Sequence, residues 1–256
     1  MKSGQHSHCF FYFCLSKPFL YFEACLPKRH RTLLQPPVDW EQALAERMSD
    51  FKKAVAGLVD EVGLVVVNDG SPLHATKANF DTLRDNIPGV IIVSYSENRG
   101  KGYALRQGVA HSNADFHLVT DADFPYNMAS MKSITETLLI KGGIVAGNRD
   151  TGYYAHVPAF RRIISKILRW TLRNVLQQPI SDSQCGLKGF DNTGKKIFLE
   201  TTIDRFLFDL EFLLLAKDRV AVTPVPVELR AGVTFNKVGL KILATEGKNF
   251  LQLLLR

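Results

Sequence analysis

Two acidic residues at a spacing of two carry the strongest chemical signal in the sequence. Asp121 and Asp123 directly follow residues 116–120, an apolar run that is typical of a buried β-strand. If the chain turns after that strand, both carboxylates lie near one point and suit a hard divalent cation, Mg²⁺ or Mn²⁺, that also binds substrate phosphates. The same residues can instead stabilise the turn or cap the next helix, so the pair alone leaves both roles open.

A second polar cluster, Asn68-Asp69-Gly70-Ser71, follows the apolar run of residues 63–67. In open α/β sheets, ligands bind beyond the carboxyl ends of the strands. The Asp69 carboxylate would there accept the N–H that a uracil or guanine edge offers. Lys101, between two glycines, is a basic candidate for the same ligand, although the glycines can simply form a tight turn. It is not a P-loop lysine, because the required flanking pattern is missing.

The predicted helix over residues 159–177 carries a candidate anion site. Arg161 and Ser165 are four residues apart near its start, so they share a face and lie beside backbone N–H groups that favour an anion. Further along, four basic residues line one face of this helix, which either remains solvated or meets the headgroups of an anionic membrane. These four are Arg162, Lys166, Arg169 and Arg173.

Apolar runs alternate with helical patterns along the chain, which predicts one α/β domain with a mainly parallel central sheet flanked by helices. We expect the first strand within residues 19–26, a poorly ordered segment over 1–18, the domain over 19–240 and an amphipathic C-terminal segment over 241–256. The apolar run of residues 9–26 is interrupted by Lys17, Pro18 and Glu23, and its longest uninterrupted piece, residues 9–15, is much shorter than the roughly 20 residues of a spanning helix. A cytoplasmic protein is the expectation.

Charge and cysteine content narrow the classes of partner. The 32 Lys and Arg against 25 Asp and Glu give a net charge of +7, which favours an anionic partner. Basic and aromatic residues are not interleaved as nucleic-acid binding requires, so no nucleic acid is expected. The four cysteines form no C-x-x-C pair, which argues against a disulfide framework or a zinc site.

The chain carries six motifs in an order that resembles a known family of enzymes. In chain order they are Val65-Val66-Val67-Asn68-Asp69-Gly70-Ser71, Asn98-Arg99-Gly100-Lys101-Gly102-Tyr103-Ala104, Asp121-Ala122-Asp123, Gly147-Asn148-Arg149, Arg161-Arg162-Ile163-Ile164-Ser165 and Asp182-Ser183-Gln184-Cys185-Gly186-Leu187-Lys188-Gly189-Phe190. They resemble the inverting family-two glycosyltransferases of the GT-A fold, over about residues 62–237. The last motif, with Phe208-Asp209-Leu210-Glu211, most resembles the subgroup that makes dolichyl- or polyprenyl-phosphate sugars.

This resemblance implies a single GT-A-type Rossmann-like domain, a nucleotide-sugar donor such as UDP-glucose, a polyprenyl phosphate acceptor and a location at the membrane periphery. It also implies roles for particular residues. The implied donor-binding residues are Asp69, Gly70, Ser71, Lys101, Asp121 and Ala122. The implied metal ligands are Asp121 and Asp123, and Arg149 joins them as a catalytic residue. The implied clamp for the acceptor phosphate is Arg149, Arg161, Ser165 and Arg230.

The sequence departs from the family in the first loop. Pro27-Lys28-Arg29-His30 has no acidic residue where the family has one, and Leu73-His74 replaces the usual Asp after the Gly-Ser turn. An inactive nucleotide-sugar binding module is therefore an alternative. Another is a transferase acting on a sugar hydroxyl, which would need a carboxylate base such as Asp182 or Asp209. In the structural interpretation, Asp182 only braces its loop, while Asp209 and Glu211 only solvate the start of a helix.

Overall fold

The computed structural model describes residues 8–15, 40–71, 76–121, 124–149, 182, 185–205, 207–231 and 250. These ranges form a seven-stranded sheet and six helices. The strands are β1 His8–Leu15, β2 Glu61–Asp69, β3 Ile91–Tyr95, β4 Phe116–Asp121, β5 Ile144–Arg149, β6 Lys188–Asp191 and β7 Val222–Val227. The helices are α1 Trp40–Ala54, α2 Lys77–Asn86, α3 Lys101–Ala110, α4 Met128–Lys141, α5 Asn192–Leu199 and α6 Phe208–Ala216.

The strands are arranged in the order β3-β2-β1-β4-β6-β5-β7. All neighbouring pairs are parallel except those of β6, which runs antiparallel to both β4 and β5. The predicted mainly parallel sheet flanked by helices is thereby confirmed. Near the end of β1, Leu15 is paired with Asn68 of β2 and Cys14 with Asp121 of β4. The two polar clusters thus lie at the same edge of the sheet, on opposite sides of β1.

The first strand lies earlier in the chain than the sequence predicted. β1 is His8–Leu15, so the prediction that residues 19–26 form the first strand is wrong, and part of the 1–18 segment belongs to the sheet. A central strand must donate hydrogen bonds on both sides, which the uninterrupted run of residues 9–15 can do. Pro18 has no N–H and is disfavoured in such a strand. Residues 19–26 lie outside the described ranges, and the other domain boundaries stay predictions.

Two apolar layers cover the sheet. Successive side chains of a strand point to opposite faces, and along β2 Leu64 and Val66 join one buried cluster while Val65 and Val67 join the other. The first cluster is completed by α1, α2 and α4. The second is completed by α3, α5 and α6, and Phe250 packs against it. The strands are therefore covered on both faces, and their ends remain as the place for a ligand.

Polar side chains fix where several helices begin. The Thr76 side chain accepts from the backbone N–H of Asn79 to start α2, and Asn127 accepts from Ser130 to start α4. The sequence pattern predicts a helix over residues 128–140, and its start at Met128 is confirmed. The predicted helix over residues 159–177 lies outside the described part of the chain. Within the described ranges, no helix combines the length and apolar character that a membrane crossing requires.

Candidate functional site

Three elements meet at the carboxyl end of β4. The Nζ of Lys101, the first residue of α3, lies 2.6 Å from Oδ1 of the partly exposed Asp121 at the end of β4. Gly186, just before β6, lies against both side chains. A Cβ at Gly186 would be 2.7 Å from Oδ2 of Asp121 and 3.3 Å from the Lys101 Nζ. A Cβ there would push the Asp121 carboxylate aside, so glycine keeps the space beside this carboxylate open.

Asp69 holds the loop that leads into α3. Its side chain is fully buried. Its Oδ1 accepts from the backbone N–H of Arg99 at 2.7 Å, and its Oδ2 accepts from the N–H of Gly100 at 2.9 Å. The Asn98 side-chain amide donates to Oδ2 as well, at 2.8 Å. In the structure the oxygens of Asp69 accept from this loop. The predicted contact of this carboxylate with a nucleobase stays a prediction.

The turn after β2 is tied to the same loop. Gly70 has a φ of +64°, and a Cβ there would lie within 2.8 Å of the backbone of residues 96–98. The backbone N–H of Ser71 donates to Oδ1 of Asn68 at 2.9 Å, and the Asn68 amide donates to the Ser94 hydroxyl at 3.0 Å. Close packing and the positive φ both require glycine at position 70. Donor contacts from Gly70 and Ser71 stay predictions.

The turn that follows Asp121 is fastened by Arg230. Phe124 has a φ of +47°, which is unfavourable for a residue with a side chain, but its ring is fully buried in the core. Its N–H donates to the Asp121 carbonyl at 3.0 Å. The Nε of Arg230 donates to the Phe124 carbonyl at 3.0 Å, and its backbone N–H donates to the Pro125 carbonyl. Ala122 and Asp123, inside this turn, lie outside the described residues.

Arg149, at the end of β5, is engaged by Asp182. Its Nε and Nη2 donate to the two carboxylate oxygens at 2.5 and 2.6 Å, with side-chain exposures of 14% for Arg149 and 6% for Asp182. Burial alone would lower the pKa of Arg149, but the hydrogen bonds and charge of Asp182 raise it above its ordinary value. This two-point pair fixes Asp182 against the end of β5. A phosphate contact from Arg149 stays a prediction, and Arg161 and Ser165 lie outside the described residues.

Tyr126 is a site residue that the sequence interpretation missed. Its buried hydroxyl accepts from the backbone N–H of Gly186 at 3.1 Å and from the thiol of Cys185 at 3.2 Å. Burial raises the pKa of Tyr126 well above its ordinary value, so the hydroxyl stays protonated. Burial likewise raises the pKa of Cys185, so its thiol stays protonated. An aromatic residue shortly after Asp123 gave no distinct signal in the sequence.

A buried ion pair lies behind Gly186. The fully buried Lys188 places its Nζ 2.5 Å from Oδ1 of Asp209 and also donates to the Cys185 carbonyl. Asp209 and Glu211 are both buried in the first turn of α6, so the interpretation that they solvate the helix start is wrong. The available signal for the burial of Lys188 was its position between Leu187 and the Gly189-Phe190 pair.

Among the described residues, Asp121 supplies the carboxylate that a divalent cation would use at this site. In the described ranges, no group of three or more His, Cys, Asp or Glu side chains could hold a metal ion. Oδ2 of Asp121 borders the space that Gly186 leaves. Mg²⁺ commonly takes one or two carboxylates and completes its shell with water and substrate phosphates. Asp121, joined by Asp123 as the sequence predicts, matches that requirement.

Solved structures with the same architecture define the fold of the chain. A glucosyl-3-phosphoglycerate synthase from Mycobacterium tuberculosis, solved with UDP, has a TM-score of 0.58 and 18% identity, covering 98% of this chain and 79% of that one. A mannosyl-3-phosphoglycerate synthase from Rubrobacter xylanophilus has a TM-score of 0.57 and 12% identity, covering 97% and 73%. The predicted GT-A-type glycosyltransferase fold is thereby confirmed.

Residues 41–194 match the model of the family described as "Glycosyl transferase family 2", which is more than half of the chain. The chain therefore belongs to glycosyl transferase family 2. A dolichyl-phosphate beta-glucosyltransferase of Saccharomyces cerevisiae is 26% identical over 185 residues, covering 64% of this chain and 55% of that protein. The Homo sapiens protein of that name is 26% identical over 165 residues, covering 60% and 51%. The chain spans about half the length of these relatives.

Proposed function

We propose that this protein transfers glucose from UDP-glucose to a polyprenyl or dolichyl phosphate, with inversion at the anomeric carbon. The observation that carries the proposal is the convergence of Lys101, Asp121 and Gly186 at the carboxyl edge of the sheet. Relatives named dolichyl-phosphate beta-glucosyltransferase support both the sugar and the acceptor. The uridine nucleotide rests on the resemblance of the sequence motifs.

Attack of an acceptor oxygen on the anomeric carbon releases a nucleoside diphosphate, whose negative charge must be stabilised. Lys101 places an ammonium at the start of α3, where backbone N–H groups and the helix dipole also favour an anion. A Mg²⁺ or Mn²⁺ held by Asp121 and Asp123 would supply Lewis-acid stabilisation of the same charge. Asp69 contributes by holding residues 98–100, which precede Lys101.

The charged side chains favour a phosphate as the acceptor over a sugar hydroxyl. A phosphate monoester is largely ionised near neutral pH, with a second pKa of roughly 6, so it needs no protein base. A hydroxyl acceptor would need one, and Asp182 and Asp209 are the candidates from the sequence. Asp182 is paired with Arg149 and Asp209 with Lys188, both in buried surroundings. A carboxylate held in such a buried pair is not placed to reach and activate an acceptor hydroxyl.

The acceptor phosphate is proposed to bind Arg149 and Arg230 together with Arg161 and Ser165. Arg230 contacts the backbone at Phe124, and the charge of Arg149 acts on Tyr126, so these two arginines flank one short segment after Asp121. Guanidinium groups suit phosphate oxygens and remain charged at any relevant pH. The basic face of the predicted helix over residues 159–177 would bring the site to an anionic membrane surface, where the lipid acceptor is found.

Turnover of radiolabelled UDP-glucose with dolichyl phosphate in detergent tests the proposal. We expect label in an organic-extractable β-linked product, and loss of that product in Asp121→Asn and in EDTA. Asp81→Asn is the matched control, because Asp81 pairs with Arg84 on the exposed surface of α2. Label transferred only to a water-soluble sugar would favour the hydroxyl-acceptor alternative. UDP-glucose binding without any turnover would favour the inactive binding module.

A further inference from the structure

The first turn of α6 carries two buried carboxylates that face different parts of the chain. Asp209 and Glu211 are 5% and 1% exposed. We infer that they are positioning residues, which together set the two sides of the Asp121 site. This inference rests on the proposed function, because it assigns them a part in placing the donor diphosphate.

Asp209 acts on the side formed by Gly186. Its Oδ1 accepts from the Lys188 Nζ at 2.5 Å, and the same ammonium donates to the Cys185 carbonyl. Gly186 is the next residue, and its Cα lies against Asp121 and Lys101 so closely that a Cβ would collide. Asp209 therefore fixes the Lys188 ammonium, and this ammonium fixes the backbone of Cys185 next to Gly186.

Glu211 acts on the opposite side, through the loop of residues 201–205. Its Oε2 accepts from the N–H groups of Thr202 at 2.8 Å and Ile203 at 2.7 Å, and its Oε1 accepts from the Thr202 hydroxyl. These hydrogen bonds fix the backbone that lies against the start of α3. A buried carboxylate that satisfies this many donors holds a loop more firmly than neutral groups would.

The same loop determines where Lys101 begins its helix. The Asp204 carbonyl accepts from the N–H of Tyr103 at 3.2 Å. A Cβ at Gly100 would be 2.5 Å from that carbonyl oxygen, and a Cβ at Gly102 would be 2.4 Å from the Ile203 oxygen. The residues on both sides of Lys101 are therefore in tight backbone contact with the loop that Glu211 holds.

The use of a buried charged pair, Lys188 and Asp209, indicates a role in positioning the backbone more than in stabilising the fold. A buried ion pair is often no more stabilising than apolar residues of the same volume. What the Lys188–Asp209 pair adds is a directed hydrogen bond to the Cys185 carbonyl. Because Asp209 and Glu211 share one helical turn, a single rigid element sets Gly186 and Lys101 relative to each other.

Replacing Lys188 and Asp209 together separates an effect on the position of site residues from an effect on folding stability. In Lys188→Met/Asp209→Leu we expect the thermal midpoint to stay near that of the wild type, while UDP affinity with Mn²⁺ falls by about tenfold or more. The control is Arg219→Met/Glu200→Gln, which removes an exposed ion pair beside the same helix. That control should bind UDP as the wild type does. A pair variant that binds UDP and turns over normally would refute the role of Asp209.

Glu211→Gln tests the other side with a side chain of the same size. Its amide oxygen carries no full charge, so it holds the N–H groups of Thr202 and Ile203 more weakly and the loop of residues 201–205 should loosen. Hydrogen exchange needs no ligand, and we expect about tenfold faster exchange at Tyr103 in Glu211→Gln and at Gly186 in the pair variant. Exchange of the α4 amides should be unchanged in both variants.

Unchanged exchange at Tyr103 and Gly186 would overturn the inference even if the wild type transfers no sugar. If exchange becomes faster in the variants as expected but the wild type makes no lipid-linked product, only the proposed function is refuted.

Discussion

The ammonium of Lys101 lies 2.6 Å from Oδ1 of Asp121, so the first residue of α3 neutralises the carboxylate at the end of β4. The two residues belong to motifs that the sequence assigns to the same ligand, a donor diphosphate with its cation. A cation that binds Asp121 must compete with this ammonium, and a diphosphate offers the ammonium another partner. Donor and cation are therefore expected to bind more tightly together than separately.

Replacing Lys101 with Met should separate these two effects. Without nucleotide, Mn²⁺ should bind more tightly than to the wild type, because the competing charge is gone. UDP should bind at least about tenfold more weakly, since a charged hydrogen-bond donor to the diphosphate is lost. Mn²⁺ titration by electron paramagnetic resonance and UDP titration by calorimetry measure the two. Lys132→Met, which removes an exposed lysine paired with Glu136, is the control. If the wild type, Lys101→Met and Lys132→Met all bind Mn²⁺ with equal affinity, the ammonium of Lys101 does not compete with the cation.

Gly186→Ala should damage the site while leaving the fold intact. The new Cβ would lie 2.7 Å from Oδ2 of Asp121, so the carboxylate has to move. Small displacements of a catalytic group cost about 100-fold in rate, and we expect a loss of that size in kcat/KM. Gly57→Ala is the contrasting variant, because Gly57 has a φ of +78° and nothing within 4 Å of its Cβ position. It should lose about 1 kcal/mol of stability and no activity. Comparable kinetics for the two variants would argue against a site at Gly186.

The ends of β2 and β4 were predictable because each is an apolar run followed directly by polar residues. The boundaries of α4 were predictable for a similar reason, since Asn127 caps a regular helical pattern. β1 was placed too late, because two apolar runs lie close together near the start and composition alone does not rank them. The choice between them depends on pairing with β2 and β4, which only the folded chain reveals.

The ion pairs of the site could not be predicted from spacing. Arg149 meets Asp182, and Lys188 meets Asp209, through packing of elements far apart in the chain. Charged residues are seldom fully buried, so a sequence interpretation assigns them to solvent unless a motif says otherwise. For that reason Asp209 and Glu211 were placed on a solvated helix start. The hydrogen bonds of Asp69 to the neighbouring loop also could not be read from spacing, and its contact with a ligand stays a prediction.

His117 should make the fold sensitive to mild acid. It is buried in β4, and burial, followed by the charge of Lys195, lowers its pKa from 6.5 to about 4. Below pH 6.5 the unfolded chain takes up a proton that the folded chain refuses, so stability should fall as the pH drops from about 6.5 to 4. The full loss is about 3 kcal/mol.

Urea unfolding at several pH values within that interval measures the effect. His117→Phe should have a shallower dependence on pH, because its ring can stack on Phe190 as the imidazole does and takes up no proton. His111→Phe is the control, since His111 is exposed at the end of α3. If wild type and His117→Phe lose stability in parallel, other groups are responsible for the acid sensitivity.

Asp69→Ala should lower stability and donor affinity together. Removing the carboxylate leaves the N–H groups of Arg99 and Gly100 without their acceptor, at a cost of about 3 kcal/mol in the free energy of unfolding. UDP should bind more weakly because the loop before Lys101 is no longer held. Asp69→Asn keeps one acceptor oxygen and should be intermediate in both measurements, which are urea unfolding and UDP calorimetry. A direct nucleobase contact would give a different result, in which UDP affinity falls while the free energy of unfolding is unchanged. That outcome would show that Asp69 binds the nucleobase and does not hold the loop.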